Sequence, residues 1–168
     1  MSLAVACDAD LVALLGHGAA CVKVGRRSKR PLGVAWNESA TTSPDVISDW
    51  LSGGYNVGLL CGHGGLVDVE FDDADGRRIV EQLGLLHTDT PTYTSGRGEH
   101  RIVRLADALP DCGWRKIGGF EVRFGGLPAQ SVLPPSKHPD GSWYSWTKSP
   151  LDFAPAVVTL AQLGLEDA

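Results

Sequence analysis

A chain of 168 residues, 43% hydrophobic and 21% charged with a mean hydropathy of -0.04, is long enough to bury a core and reads as one soluble globular domain over residues 1–168. Its net charge of -5 and pI near 5.4 argue against a protein held to nucleic acid by bulk charge, although a local basic patch can override the total. The 21 glycines and 10 prolines speak against a helical bundle, and no apolar run approaches the roughly 20 residues of a membrane span.

In chain order, residues 8–20 have the spacing of a helix, with Leu11, Leu14 and Leu15 on one side and Asp8 near its start. A strand follows at about 20–25, and then a basic loop, Lys23-Val-Gly-Arg-Arg-Ser-Lys-Arg-Pro31. A second helix begins with Ser43 as N-cap and Pro44 at its first position, and Gly53-Gly54 stops it. Strands at about 56–61 and 66–71 are separated by a turn too short for a crossover helix, so an antiparallel hairpin is expected. A short helix is expected over about 74–83, ending at Gly84. The second half reads as strands at about 91–94, 100–105, 119–124, 130–133 and 142–146, with a last helix at about 155–163. Helices in the first half and strands in the second predict an α+β fold with mixed or antiparallel sheets.

Cys7, Cys21, Cys61 and Cys112 have no C-x-x-C spacing, which argues against a zinc knuckle, and Cys21 and Cys61 sit in apolar runs as expected for buried free thiols. The opening residues Met1–Asp8 lack the charged start of a signal peptide, so a reducing, cytoplasmic location is expected.

The most informative stretch is Gly65-Leu-Val-Asp-Val-Glu-Phe-Asp-Asp-Ala-Asp-Gly76. Strand side chains alternate, so Val67, Val69 and Phe71 face a core while Asp68, Glu70 and Asp72 share the other face. Stacked carboxylates repel unless a cation neutralises them, and hard oxygen donors suit Mg²⁺ or Mn²⁺. The same pattern also describes a solvated sheet face with Asp72 or Asp73 capping the next helix. A second constellation, Thr94-Ser-Gly-Arg-Gly-Glu-His-Arg101, combines glycines that let a ligand approach the backbone with donors suited to phosphate oxygens. In Phe120-Glu-Val-Arg123, Glu121 and Arg123 share a face, as a structural ion pair would. Ser131-Val-Leu-Pro-Pro-Ser-Lys-His138 and Gly141-Ser-Trp-Tyr-Ser-Trp146 form a rigid turn and a strand.

Taken in order, Lys29-x-Pro31 and Trp36, Asn56-Val-Gly-Leu with Gly62, the acidic strand with Gly76, Ser95-Gly-x-Gly-x-His100, Phe120-Glu-Val-Arg123, and Pro134-Pro-Ser-x-His138 with Gly141-x-x-Tyr144-x-Trp146 resemble the bifunctional DNA primase/polymerase N-terminal domain of the archaeo-eukaryotic primase superfamily. The resemblance covers roughly residues 8–160. It implies a two-part module, one part an RNA-recognition-motif-like (RRM-like) sheet carrying the carboxylates. It also implies a nucleotidyltransferase acting on a single-stranded or primed DNA template with dNTP or NTP, in the replication of a mobile element, with a replicative helicase as partner.

By the same resemblance Glu70, Asp72 and Glu121 hold two metals, Mg²⁺ or Mn²⁺, and His100 meets the triphosphate. Ser95, Arg97, Arg123, Ser136, Lys137 and His138 are then nucleotide contacts, and Lys29, Arg27 and Arg30 template contacts. Distance to Gly76 favours Asp72 over Asp68 as the partner of Glu70, the alternative being Asp68 as that partner with Asp72 as a helix cap. Glu70 and Glu121 stand where such domains often carry Asp, and Arg101-Ile102 replaces the usual aromatic after the histidine. Two rivals use the same residues. A metal-dependent nuclease or phosphodiesterase is expected to carry a lysine two residues beyond its carboxylate, and none follows Glu70 or Asp72. A non-catalytic nucleotide- or DNA-binding module is the other.

Overall fold

The computed structural model of the chain describes residues 7–165, so most of the stretch considered for a leader lies outside it. Helix α1 (Ala9–Gly16) starts where the Asp8 carboxylate accepts from the amides of Asp10 and Leu11, and it ends four residues earlier than expected, where His17 closes the last turn and Gly18 takes φ 104°. Strand β1 (Cys21–Val24) follows, and then α2 (Pro44–Ser52), whose Ser43 hydroxyl accepts from Val46 N–H. Strands β2 (Asn56–Leu60) and β3 (Leu66–Phe71) precede α3 (Ala74–Gln82). The rest is β4 (Thr92–Ser95), β5 (Gly98–Leu105), β6 (Trp114–Ile117), β7 (Phe120–Arg123), β8 (Gln130–Val132), β9 (Ser145–Lys148) and β10 (Ala156–Val158). The fold is α+β, as predicted.

Two sheets carry it. The smaller has the order β1-β2-β8, and the larger the order β6-β7-β3-β5-β4-β9, with β10 alongside β5. All pairings are antiparallel except β10 with β5.

Three expectations are corrected. First, β2 and β3 are not a hairpin. Gly62, Gly64 and Gly65 all take positive φ, and the chain leaves β2 through this 3-10 turn to enter the other sheet. Second, the expected helix at 155–163 begins as β10: Pro155 precedes β-branched Val157 and Val158, which pair with Arg104 and Leu105. Third, the sequence reading omitted β6 and placed β9 about three residues early.

The alternation of β3 is realised, with both faces in use. Val67, Val69 and Phe71 enter a core with Val80 of α3, Phe120 and Val122. Leu66, on the opposite face, enters the core between the sheets, with Val57, Leu59, Tyr93 and Ile102. Along that second face burial falls from Leu66 and Asp68, both 0% exposed, through half-buried Glu70 to exposed Asp72. The space between the sheets therefore opens towards solvent at the carboxyl end of β3. Gly76 allows α3 to lie close there, since a Cβ at that position would meet the Gly119 carbonyl at 2.5 Å.

Candidate active site

The opening between the sheets is a cavity of about 470 Å³, within the range of small-molecule sites. Its lining includes Glu70 and Asp72 from β3, Ser95, Arg97 and His100 from the β4–β5 hairpin, Glu121 and Arg123 from β7, and Lys29, Trp36, Trp114, His138, Asp140 and Tyr144. The antiparallel register sets the arrangement: Glu70 lies opposite His100 on one side and Glu121 on the other, while Asp68 lies opposite Arg123.

Arg123 ties the carboxylates together. Its Nε donates to Glu121 Oε1 at 2.9 Å, its Nη1 donates to both the Gln130 carbonyl and Ser131 Oγ, and its Nη2 stands 3.5 Å from Glu70 Oε2. Burial works against its charge, but Glu70, Asp68 and Glu121 outweigh it and hold the guanidinium firmly protonated. Burial, with help from Asp68 and Glu121, raises the Glu70 carboxyl above its ordinary value despite the pull of His100 and Arg123.

His100 is fixed from three directions. Nδ1 lies 2.8 Å from Asp68 Oδ2, Nε2 lies 3.0 Å from Ser95 Oγ, and Tyr93 stacks on the ring with centroids 4.5 Å apart and planes 3° apart. Asp68 Oδ2 also accepts from Ser131 Oγ at 2.6 Å. Burial would lower the His100 pKa, but Asp68 and Glu70 outweigh it and raise it. Conversely burial would raise Asp68, and His100, Arg123 and Ser131 hold it below the usual carboxylate range. With Asp68 ionised, Nδ1–H donates to it and Nε2 faces Ser95 and the cavity.

Asp73 accepts from Gly76 N–H at 2.7 Å and is the N-cap of α3. Asp72 is thereby left out of the cap, exposed and facing the cavity.

A divalent cation fits this donor set. Asp68, Glu70 and His100 each bring a ligand atom within 4.8 Å of the others, and Glu70 Oε2 and Asp68 Oδ1 are buried without a hydrogen-bond partner among the described residues. Asp68 Oδ2 and His100 Nδ1 are committed to each other and Glu121 Oε1 to Arg123, which leaves Glu70 Oε2, Asp68 Oδ1 and the exposed Asp72 carboxylate as uncommitted donors. Asp68, Glu70 and Glu121 crowd around Arg123 and His100, in a cavity whose other charged lining residues are Asp72, Asp140, Lys29 and Arg97, and a cation among the carboxylates relieves their mutual repulsion.

The structure brings Glu70, Asp72, Glu121, Ser95, Arg97, His100, Arg123, His138 and Lys29 to one cavity. Ser136 is apart from them and only 2% exposed: its hydroxyl accepts from Val57 N–H and reaches the Val57 carbonyl. The Lys137 backbone is clasped by Asn56, and its ammonium sits over Trp143. Arg27 and Arg30 are exposed on the basic loop outside the cavity lining. Sequence reasoning passed over Tyr93, Ser131 and Trp114. Only the period-two pattern of β4 hinted that Tyr93 shares a face with Ser95, and nothing local links Ser131 in the small sheet to Asp68. All four cysteines are free, with Cys21 and Cys61 buried, and burial pushes the thiols of both up to about 12. Among the described residues, no helix is long and apolar enough to cross a membrane.

A family model described as "Bifunctional DNA primase/polymerase, N-terminal" matches residues 11–158, nearly the whole chain. No curated protein matches it.

Proposed function

The chain belongs to the family of bifunctional DNA primase/polymerase N-terminal domains, and from that premise we propose that it is a DNA-dependent nucleotidyltransferase adding nucleotides to a 3′-hydroxyl on a DNA template. The observation that carries this reading is the register of β3: Glu70 faces Glu121 across one strand pair and His100 across the other, at the mouth of one cavity. Carboxylates for metal and donors for phosphate thus meet within the space of one nucleotide.

In this reading Glu70, Asp72 and Glu121 hold two divalent ions, Mg²⁺ or Mn²⁺, as the resemblance implies. Two such ions activate the attacking hydroxyl and stabilise the leaving pyrophosphate. The chain's own part is positioning, on which phosphoryl transfer mainly depends. His100 Nε2 and Ser95 Oγ point into the cavity where phosphate oxygens need donors, and Arg97 stands exposed on the turn beside them. Were Glu70 and Glu121 to hold cations, Arg123, which now bridges them, would be free to meet the nucleotide, and His138 lines the same cavity. Lys137 and Ser136 serve at one remove, the Lys137 backbone clasped by the Asn56 side-chain amide and the Ser136 hydroxyl bonded to the Val57 backbone. Lys29 at the rim, with Arg27 and Arg30 behind it, follows the template backbone.

The chain acts as a single domain over residues 1–168. The larger sheet is the RRM-like half, and the setting is replication of a mobile element in the cytoplasm beside a helicase.

Primer extension on a primed template with dNTPs and Mn²⁺ tests the reading: lengthened product supports it. Degraded primer points to the nuclease, and binding without either product points to an inert module. A second expected result concerns the metal alone. Mn²⁺ at about 100 times its dissociation constant stabilises the fold by about 2.7 kcal/mol, which raises the melting temperature by about 5–10 °C. The shift disappears in Glu70→Gln; an equal shift in both proteins places the ion elsewhere.

A further inference from the structure

The rim of the cavity on the Glu121 side is β6, the edge strand of the larger sheet, and all four of its residues, Trp114, Arg115, Lys116 and Ile117, are exposed. Sheet edges are normally blunted by charge, and Arg115 and Lys116 do this. Trp114 does the opposite: it is 57% exposed and turns towards the cavity, with its Cα opposite Arg123. Lys116, two residues on, shares its face and lies opposite Glu121. The side chains of Trp114, Arg115 and Lys116 make no hydrogen bond or ion pair among the described residues. The other large bare indole, Trp143 at 60% exposure, differs in both respects, because Lys137 already sits over its ring and it does not line the cavity.

A bare indole beside uncommitted cations is the pairing by which proteins hold a single strand without reading its sequence: the ring stacks on a base and the cation meets a phosphate. The chain as a whole carries a charge of -5, so a polyanion is repelled from most of its surface and held where basic groups gather. The geometry points to β6 as the platform for the single-stranded nucleic acid that leads into the cavity, with Trp114 stacking on a base and Lys116, on the same face, meeting a flanking phosphate. This inference rests on the nucleotidyltransferase reading, and it adds β6 to the basic loop of Lys29 as a second contact for the strand at the rim of the same cavity.

The test is the affinity of the full chain for a labelled oligothymidylate, followed by fluorescence anisotropy over a series of salt concentrations, with thermal melts confirming that each variant is folded. Trp114→Ala is expected to weaken binding about tenfold, and Trp114→Phe to retain most of it. Should alanine loosen the edge strand, Trp114→Leu, apolar but without a π-face, reads the same loss. Lys116→Ser is expected to reduce the slope of log affinity against log salt by about 0.7. Unchanged affinity and slope in these variants, with the wild type still binding and extending, overturn the inference and leave the nucleotidyltransferase reading standing. Loss of mononucleotide binding with oligothymidylate binding intact assigns Trp114 to the incoming nucleotide and also overturns it. A wild type that neither binds the oligonucleotide nor extends a primer overturns both.

Discussion

Glu70→Gln and Glu121→Gln each lower metal-dependent primer extension by about 100-fold or more, the scale on which loss of one electrostatic contact or a shift of about 1 Å acts. Glutamine keeps the shape and volume of each side chain, so the loss measures charge. The two residues face each other across β3 and β7 and share Arg123, and neither can replace the other. In metal-free buffer Glu70→Gln has a second effect, of opposite sign, on stability. Burial, Asp68 and Glu121 raise the Glu70 pKa, so the folded chain disfavours the ionised form. That penalty is absent below the unfolded value of about 4.3, grows as pH rises through the raised value, and is complete above it. Glu70→Gln is therefore expected to melt above the wild type at pH 7 without metal, and the advantage shrinks towards pH 4. A variant that is both inactive and less stable at pH 7 contradicts this account of the site.

Asp68→Ala and Asp68→Asn separate a buried support from a metal ligand. Asp68 is fully buried, and one of its oxygens serves both His100 and Ser131. Alanine leaves an uncompensated buried imidazole and an unpaired hydroxyl, at a cost of about 3–5 kcal/mol, or a fall of roughly 10 °C in melting temperature. Asparagine keeps the shape but can present an amide N–H to Nδ1, which favours the other tautomer and lowers the His100 pKa. The expected result is a KM for dNTP raised about tenfold with a smaller change in kcat, the pattern of lost uniform binding. The stability gap between wild type and Asp68→Asn also has a pH signature. The depressed Asp68 pKa contributes stability present above about pH 3.9 and lost as pH falls through its folded value. The raised His100 pKa contributes stability present below about pH 6.5 and lost as pH rises through its folded value. The gap is therefore widest between those limits in pH-dependent melts. A drop in kcat at unchanged KM for dNTP, with no pH-dependent gap, would instead make Asp68 a metal ligand.

What could be read in the sequence was whatever local periodicity encodes. Alternation alone put Asp68, Glu70 and Asp72 on one face of β3, and Ser43-Pro44 and Gly53 fixed the ends of α2. Gly76 stood out in the sequence only through the resemblance, and the reason a glycine is needed is the close approach of α3 to the Gly119 carbonyl in the turn before β7. The rest depends on partners distant in sequence. Whether β2 pairs with β3 is decided by which sheet each joins, and three glycines with positive φ between them permit the switch. The burial of Asp68 depends on Ser131, 63 residues away in the other sheet. Ser136 looks in sequence like an exposed polar residue in a turn, and only the approach of Val57 shows why its hydroxyl is buried. The terminal Ala156-Val-Val158 stretch suits a helix or a strand, and the free edge offered by Val103–Leu105 decides it.

Anomalous diffraction from crystals soaked with Mn²⁺ and a dNTP tests the central claim most directly. Manganese peaks are expected within coordination distance of Glu70 and Glu121, with Asp72 as the further ligand and the triphosphate against His100 Nε2, Ser95 and Arg97. Manganese bound away from Glu70 and Glu121, or a triphosphate seated outside this cavity, would contradict it.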